Sequence, residues 1–186
     1  AQTNITSVGT LTALTVTGNI TGGNLITAGL ASVSSIAKTG SDGVGNIGQS
    51  SNAFNIVHAQ ATSAVYADIA EMYSSDHPHE PGTVLEFGGE KEVKRSSQDA
   101  TPRIAGVVST KPAHLMNNKQ GGVAVALVGR VPTHVVGPVR KGDMMVATAD
   151  GRARAEANPA MGTVIGKALE DFDDAQGTIE VVVGRF

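Results

Sequence analysis

The sequence predicts an all-β protein: a fibrous stalk intertwined with copies of itself, one short helix, and a C-terminal β-sandwich or barrel head. Three observations carry that prediction. Between Ala1 and Ser63 the only charged residues are Lys38 and Asp42, in a background of Thr, Ser, Gly, Asn and Ala. From Pro81 onward, short β-branched runs alternate with Gly- and Pro-marked turns. Aromatics make up only 3% of the chain and Trp is absent, so the core must rest on small aliphatic side chains.

The first segment, residues 1–60, reads as the stalk. Ile5, Val8, Leu11, Leu14, Val16 and Ile20 recur at short intervals. Low charge and regular aliphatics do not fit the composition of disordered chains. Alternation in Leu14-Thr15-Val16-Thr17 favours strand, and Thr, Gly and Asn are all weak helix formers. Strands this short carry too few apolar side chains to build a core within one chain. They become stable when identical strands surround a common axis and cover one another's edges. A flexible Ser/Thr/Gly linker is the bland alternative, but a linker has no use for recurring Leu, Val and Ile.

Residues 61–80 read as a helix and connector. Val65, Ile69 and Met72 stand at i, i+4 and i+7, with Thr62 or Ser63 placed to cap the start. This predicts a helix over 61–73, with Asp68 and Glu71 on its polar side.

Residues 81–186 read as the globular head. Strands are expected at 83–87, 92–95, 104–109, 123–128, 131–136, 144–148, 153–155, 163–169 and 178–183. Gly88-Gly89, Gly121-Gly122, Gly137-Pro138, Lys141-Gly142-Asp143, Asp150-Gly151 and Asn158-Pro159 mark the turns. Strands at this spacing in about 100 residues indicate a sandwich or barrel.

Bulk properties exclude several classes. A net charge of −3 leaves no basic stripe for nucleic acid. No apolar run reaches the roughly 20 residues needed to span a bilayer. The chain has no Cys, so disulfides and thiolate metal sites are ruled out. The start, Ala1-Gln2-Thr3-Asn4, has neither signal-peptide character nor an initiator Met, so the chain reads as a fragment or processed product.

Five ordered stretches resemble bacteriophage tail fibre proteins. Gly45-Asn46-Ile47-Gly48-Gln49-Ser50-Ser51-Asn52-Ala53-Phe54 looks like the segment joining shaft to head, and it runs on to Ala59. Tyr66-Ala67-Asp68-Ile69-Ala70-Glu71 is similar to the "YADLAE" signature that follows it. Ile104 to Ser109, Val136 to Asp143 and Gly162 to Glu170 resemble parts of the same family's head, and their order is the strong signal. The resemblance implies a homotrimeric virion protein of the tail fibre. Its N-terminal side would attach to upstream fibre or baseplate proteins, and its distal head would meet a glycan or protein on the host surface. The resemblance carries over no receptor residues.

Several side chains could carry chemistry. In Asp76-His77-Pro78-His79-Glu80, the His-x-His spacing puts two imidazoles on one side of an extended segment. Three copies of His77 and His79 on a threefold axis would offer six nitrogens to a transition metal. A solvated loop explains the same residues, so no cofactor is expected beyond that axial metal. Glu170-Asp171-Phe172-Asp173-Asp174 offers the paired carboxylates of a capsule-cleaving glycosidase, the alternative function. Neighbouring acids in a turn are usually only solvated, and aromatic sugar platforms are scarce here. No Ser–His–Asp set is distinguishable, and the expectation is a binding protein, not an enzyme. The loop Met116 to Gly122 is polar and sits on a β scaffold, where recognition usually resides. Asn117, Asn118, Lys119 and Gln120 are the expected receptor contacts, strengthened by avidity across three copies.

Overall fold

The computed structural model describes residues 12–19, 25–60 and 62–184. The chain divides into two compact units, Ala1–Val57 and His58–Phe186. In the first unit, the described residues form no strand, and their one bridge pairs Gln49 with Asn52. Ile5, Val8, Leu11 and Ile20 lie outside the described residues. Leu14 and Val16 are 71% and 45% exposed, so the single chain does not bury them.

The second unit is built from ten strands. They are β1 (Asp68–Tyr73), β2 (Val84–Phe87), β3 (Val93–Arg95), β4 (Ile104–Val108) and β5 (His114–Met116). Then follow β6 (Val123–Val136), β7 (Met144–Ala147), β8 (Ala153–Ala155), β9 (Val164–Ala168) and β10 (Gln176–Val183). The described residues contain no helix, so the helix expected over 61–73 is corrected: its second half is β1. The physical reason lies in the neighbours. Three turns cannot hold a helix without packing, while β6 and β5 offer β1 hydrogen-bonding partners on both edges. The supposed apolar stripe is not buried either, because Val65 is 92% exposed.

The 14-residue β6 organises everything else. Its C-terminal half runs antiparallel to β10, from Gly129↔Val183 to Val136↔Gln176. Val135 and Val136 also pair in parallel with Ala153 and Arg154 of β8. β8 then pairs with β7, β7 with β9, and β9 with β10. That ring closes, which makes this part a β-barrel and leaves those strands without a free edge. The N-terminal half of β6 carries β1 on one side and β4 on the other, and β2 and β3 extend the sheet beyond β4.

Two cores result from this arrangement. Val131, Val135, Met145, Ile165, Ile179 and Val181 fill the barrel with the small residues Ala147, Ala153 and Ala168 between them. Leu85, Val93, Ala105, Val108 and Val125 form a second cluster under the β2–β3 hairpin, with Tyr73 and Val123 packed against it. Gly129 is where β6 passes from the ring with β10 to the part that carries β1. Its φ of 116° suits glycine, and a Cβ there would stand 2.2 Å from the carbonyl oxygen of Ala67.

Candidate functional site

The strand ends near Val123 gather the residues that the sequence singled out. Ser75 to Glu80 cross from β1 to β2, and the segment is fixed at its start. Ser75 pairs with Val93, Asp76 N–H donates to Val93 O at 3.3 Å, and Ser75 Oγ donates to His77 O at 2.8 Å. The Asp76 carboxylate receives the backbone N–H groups of Lys91 at 2.7 Å and Glu90 at 3.2 Å, which ties the β2–β3 turn to this crossing. Those N–H groups, the Lys91 one foremost, hold the Asp76 carboxyl below the usual carboxylate range.

His77 is exposed, whereas His79 is half-buried with its Nε2 enclosed and without a hydrogen-bond partner. Burial, then the nearby His77 and Arg95, push the His79 imidazole pKa down, with Asp76 opposing weakly. His79 is therefore neutral at pH 7, the form in which an imidazole ligates metal. Among the described residues of one chain, no three His, Asp or Glu side chains converge as a metal set. The pair would thus need symmetry mates to complete a coordination sphere.

The 117–120 segment joins β5 to β6, and its four residues divide into two roles. Asn117 adopts a left-handed φ of 54°, and its Nδ2 donates to Met72 O at 3.3 Å and to Gln120 Oε1. Gln120 Nε2 donates to Glu92 Oε2 at 2.6 Å. The same Glu92 oxygen receives Ser74 N–H and Oγ–H at 2.8 and 2.7 Å. The Ser74 hydroxyl and N–H hold the Glu92 carboxyl below its usual range, so it is ionised and can anchor all three donors. Asn117 and Gln120 hold the loop, while Asn118 and Lys119 are exposed at its tip with no partner among the described residues.

The acidic run is committed elsewhere. Lys141 N–H donates to Asp171 Oδ1 at 2.8 Å, Asp173 pairs with Arg140 at 2.6 Å, and Glu170 Oε1 receives Glu180 N–H at 3.4 Å. Val139 and Phe172 exchange backbone hydrogen bonds between these two turns. Asp171 and Glu170 thus accept from neighbouring backbone, and Asp173 is held by the Arg140 guanidinium.

Sequence reasoning missed a groove at the other end of β1. Asp68, assigned to the polar side of a helix, is a buried strand residue there, and it lines the groove together with Ser109. The only sequence signal was an acid in a run of apolar and small residues, Val65 to Ala70.

The chain matches no family model and no curated protein.

Proposed function

We propose that this chain is the C-terminal part of a bacteriophage tail fibre, a homotrimeric virion protein whose β head binds a receptor on the bacterial surface. The observation that carries the reading is the unburied aliphatic content of the first unit. Leu25, Ile26, Leu30, Ile36 and Ile47 are 85%, 90%, 92%, 86% and 89% exposed. Apolar side chains left this open along one segment mark an association surface. Copies of the same segment wound about one axis would bury them, and the ordered resemblance from Gly45 onward supports three copies. In this arrangement the first unit is the intertwined stalk. The head's tethered loop presents Asn118 and Lys119 to the host surface, and His77 and His79 are the candidate axial metal ligands. Upstream fibre or baseplate proteins are the partners expected at the N-terminal side.

Light scattering on the purified chain tests the assembly. A mass of three times the 18.9 kDa chain is expected, and a monomer refutes the reading. Incubating the trimer with capsule polysaccharide separates adhesion from cleavage, since release of reducing ends would favour the depolymerase.

A further inference from the structure

The groove beside the first residue of β1 contains two polar side chains that the fold buries and leaves unsatisfied. Asp68 is 5% exposed and Ser109 is 6% exposed. Among the described residues, neither Asp68 Oδ2 nor Ser109 Oγ has a hydrogen-bond partner. Both residues line one groove of about 290 Å³, together with Tyr66, Lys111, Arg130 and Glu180. Native folds rarely bury a carboxylate oxygen without a donor, because the desolvation is uncompensated.

The backbone around the groove is committed, so the two side chains are held where they are. Asp68 pairs with Gly129 across the sheet, and its carbonyl oxygen receives Ala113 N–H at 2.8 Å. Ser109 N–H donates to Ala124 O at 2.8 Å, and Arg130 N–H donates to Ala67 O at 3.2 Å. Lys111 and Arg130 are exposed, and neither forms an ion pair among the described residues.

The partner set decides the ligand chemistry. Asp68 and Glu180 need donors, Lys111 and Arg130 need acceptors, and Ser109 takes either. A simple cation would be repelled by Lys111 and Arg130, and a simple anion by Asp68 and Glu180. Hydroxyl groups donate and accept at once, so a polyol satisfies all five side chains. Tyr66 is half exposed and adds an aromatic surface for ring C–H groups. We infer that this groove binds a saccharide ring, with Asp68 and Ser109 as its buried anchors. The inference rests on the adhesin reading and places a glycan contact away from the Asn117–Gln120 loop.

The test uses the full chain with galactose, N-acetylglucosamine and glucuronic acid, each followed by saturation-transfer NMR. At least one sugar is expected to bind the wild type. D68N should weaken that sugar about tenfold or more, since a charged acceptor is lost. The D68N melting midpoint should stay level or rise, because a buried carboxyl oxygen without a partner has been removed. S109A gives the same comparison if D68N fails to fold. Three results overturn the proposal: none of the sugars binds the wild type, the signal is equal in wild type and both variants, or D68N dissociates the trimer. The last would make Asp68 a subunit contact. A trimeric wild type that binds none of the sugars sinks the groove and leaves the fibre reading intact. A monomeric wild type whose sugar signal is lost in D68N does the reverse.

Discussion

Glu86 is the most consequential charged residue in the head, and replacing its partner Lys94 gives a sharp prediction. The Glu86 side chain is fully buried in β2, facing Lys94 Nζ at 3.4 Å and Arg103 Nη2 at 3.8 Å. Ser97 Oγ donates to its Oε1 at 2.8 Å, while Oε2 has no partner among the described residues. Burial alone would raise the Glu86 pKa, but the Ser97 hydroxyl, Lys94 and the Ser97 backbone N–H together outweigh it and pull it down. Stripping one cation from a buried carboxylate typically costs about 3–5 kcal/mol. Arg103 and Ser97 remain, and Lys94 is itself 34% exposed, so the low end applies: K94M should cost about 3 kcal/mol. E86Q keeps the shape and removes the charge, so K94M should cost only about 1 kcal/mol in that background, giving a coupling of about 2 kcal/mol. Urea denaturation of wild type, both single variants and the double variant at pH 7 closes this cycle. The sign with pH follows from the lowered pKa. The stabilisation is present above the ordinary glutamate value of 4.5 and is lost as pH falls through the depressed folded value. The gap between wild type and E86Q should therefore shrink below pH 4.5. A K94M cost under about 0.5 kcal/mol, additive with E86Q, would refute the claim that Glu86 is a charge held by this partner.

Four further outcomes are expected. G129A should lose about 3 kcal/mol or more by chemical denaturation, because its Cβ would meet Ala67 O at 2.2 Å with φ at 116°. M145A, at a position with no exposed surface in the barrel, should cost about 2–5 kcal/mol in the same assay. D99A removes the two contacts from Arg154 at 2.7 and 2.8 Å, but the Asp99 side chain is 55% exposed, so the loss should stay under about 1 kcal/mol. N118A and K119A should leave the unfolding free energy within about 0.5 kcal/mol of wild type, whereas N117V, forced into φ 54°, should cost about 1–3 kcal/mol.

The head's strands were legible where turn chemistry framed them. Gly88-Gly89 follows β2, and Asp150-Gly151 separates β7 from β8. β1 was misread because Val65, Ile69 and Met72 fit a helical period over too short a run to arbitrate. Only the partners supplied by β5 and β6 decide for strand, and those partners are remote in sequence. β5 was missed for the same reason: His114-Leu115-Met116 has no alternation of its own and exists as a strand because β1 offers it an edge. The expected strands at 123–128 and 131–136 leave Gly129 and Arg130 between them, although the open φ of Gly129 is what lets β6 continue past Ala67. At the candidate sites, the polarity of 117–120 was visible, but the division into tethering and exposed residues depends on Glu92, 25 or more positions away. Burial of Asp68 was not visible at all, since it comes from β6 and the chain after β4.

The pairing of β1 has a mechanical consequence. Tension arriving from residue 67 pulls β1 along its own axis, and its ladder to β6 runs from Asp68↔Gly129 to Tyr73↔Val123. Those hydrogen bonds lie across the pull. They are sheared as a group instead of peeled one at a time, and β5 adds a second loaded ladder on the far edge. The strain then passes along β6 into a closed ring that has no end strand to strip away. A head built this way resists being torn open by a tug on its tether, and the chain on the N-terminal side of β1 would give first.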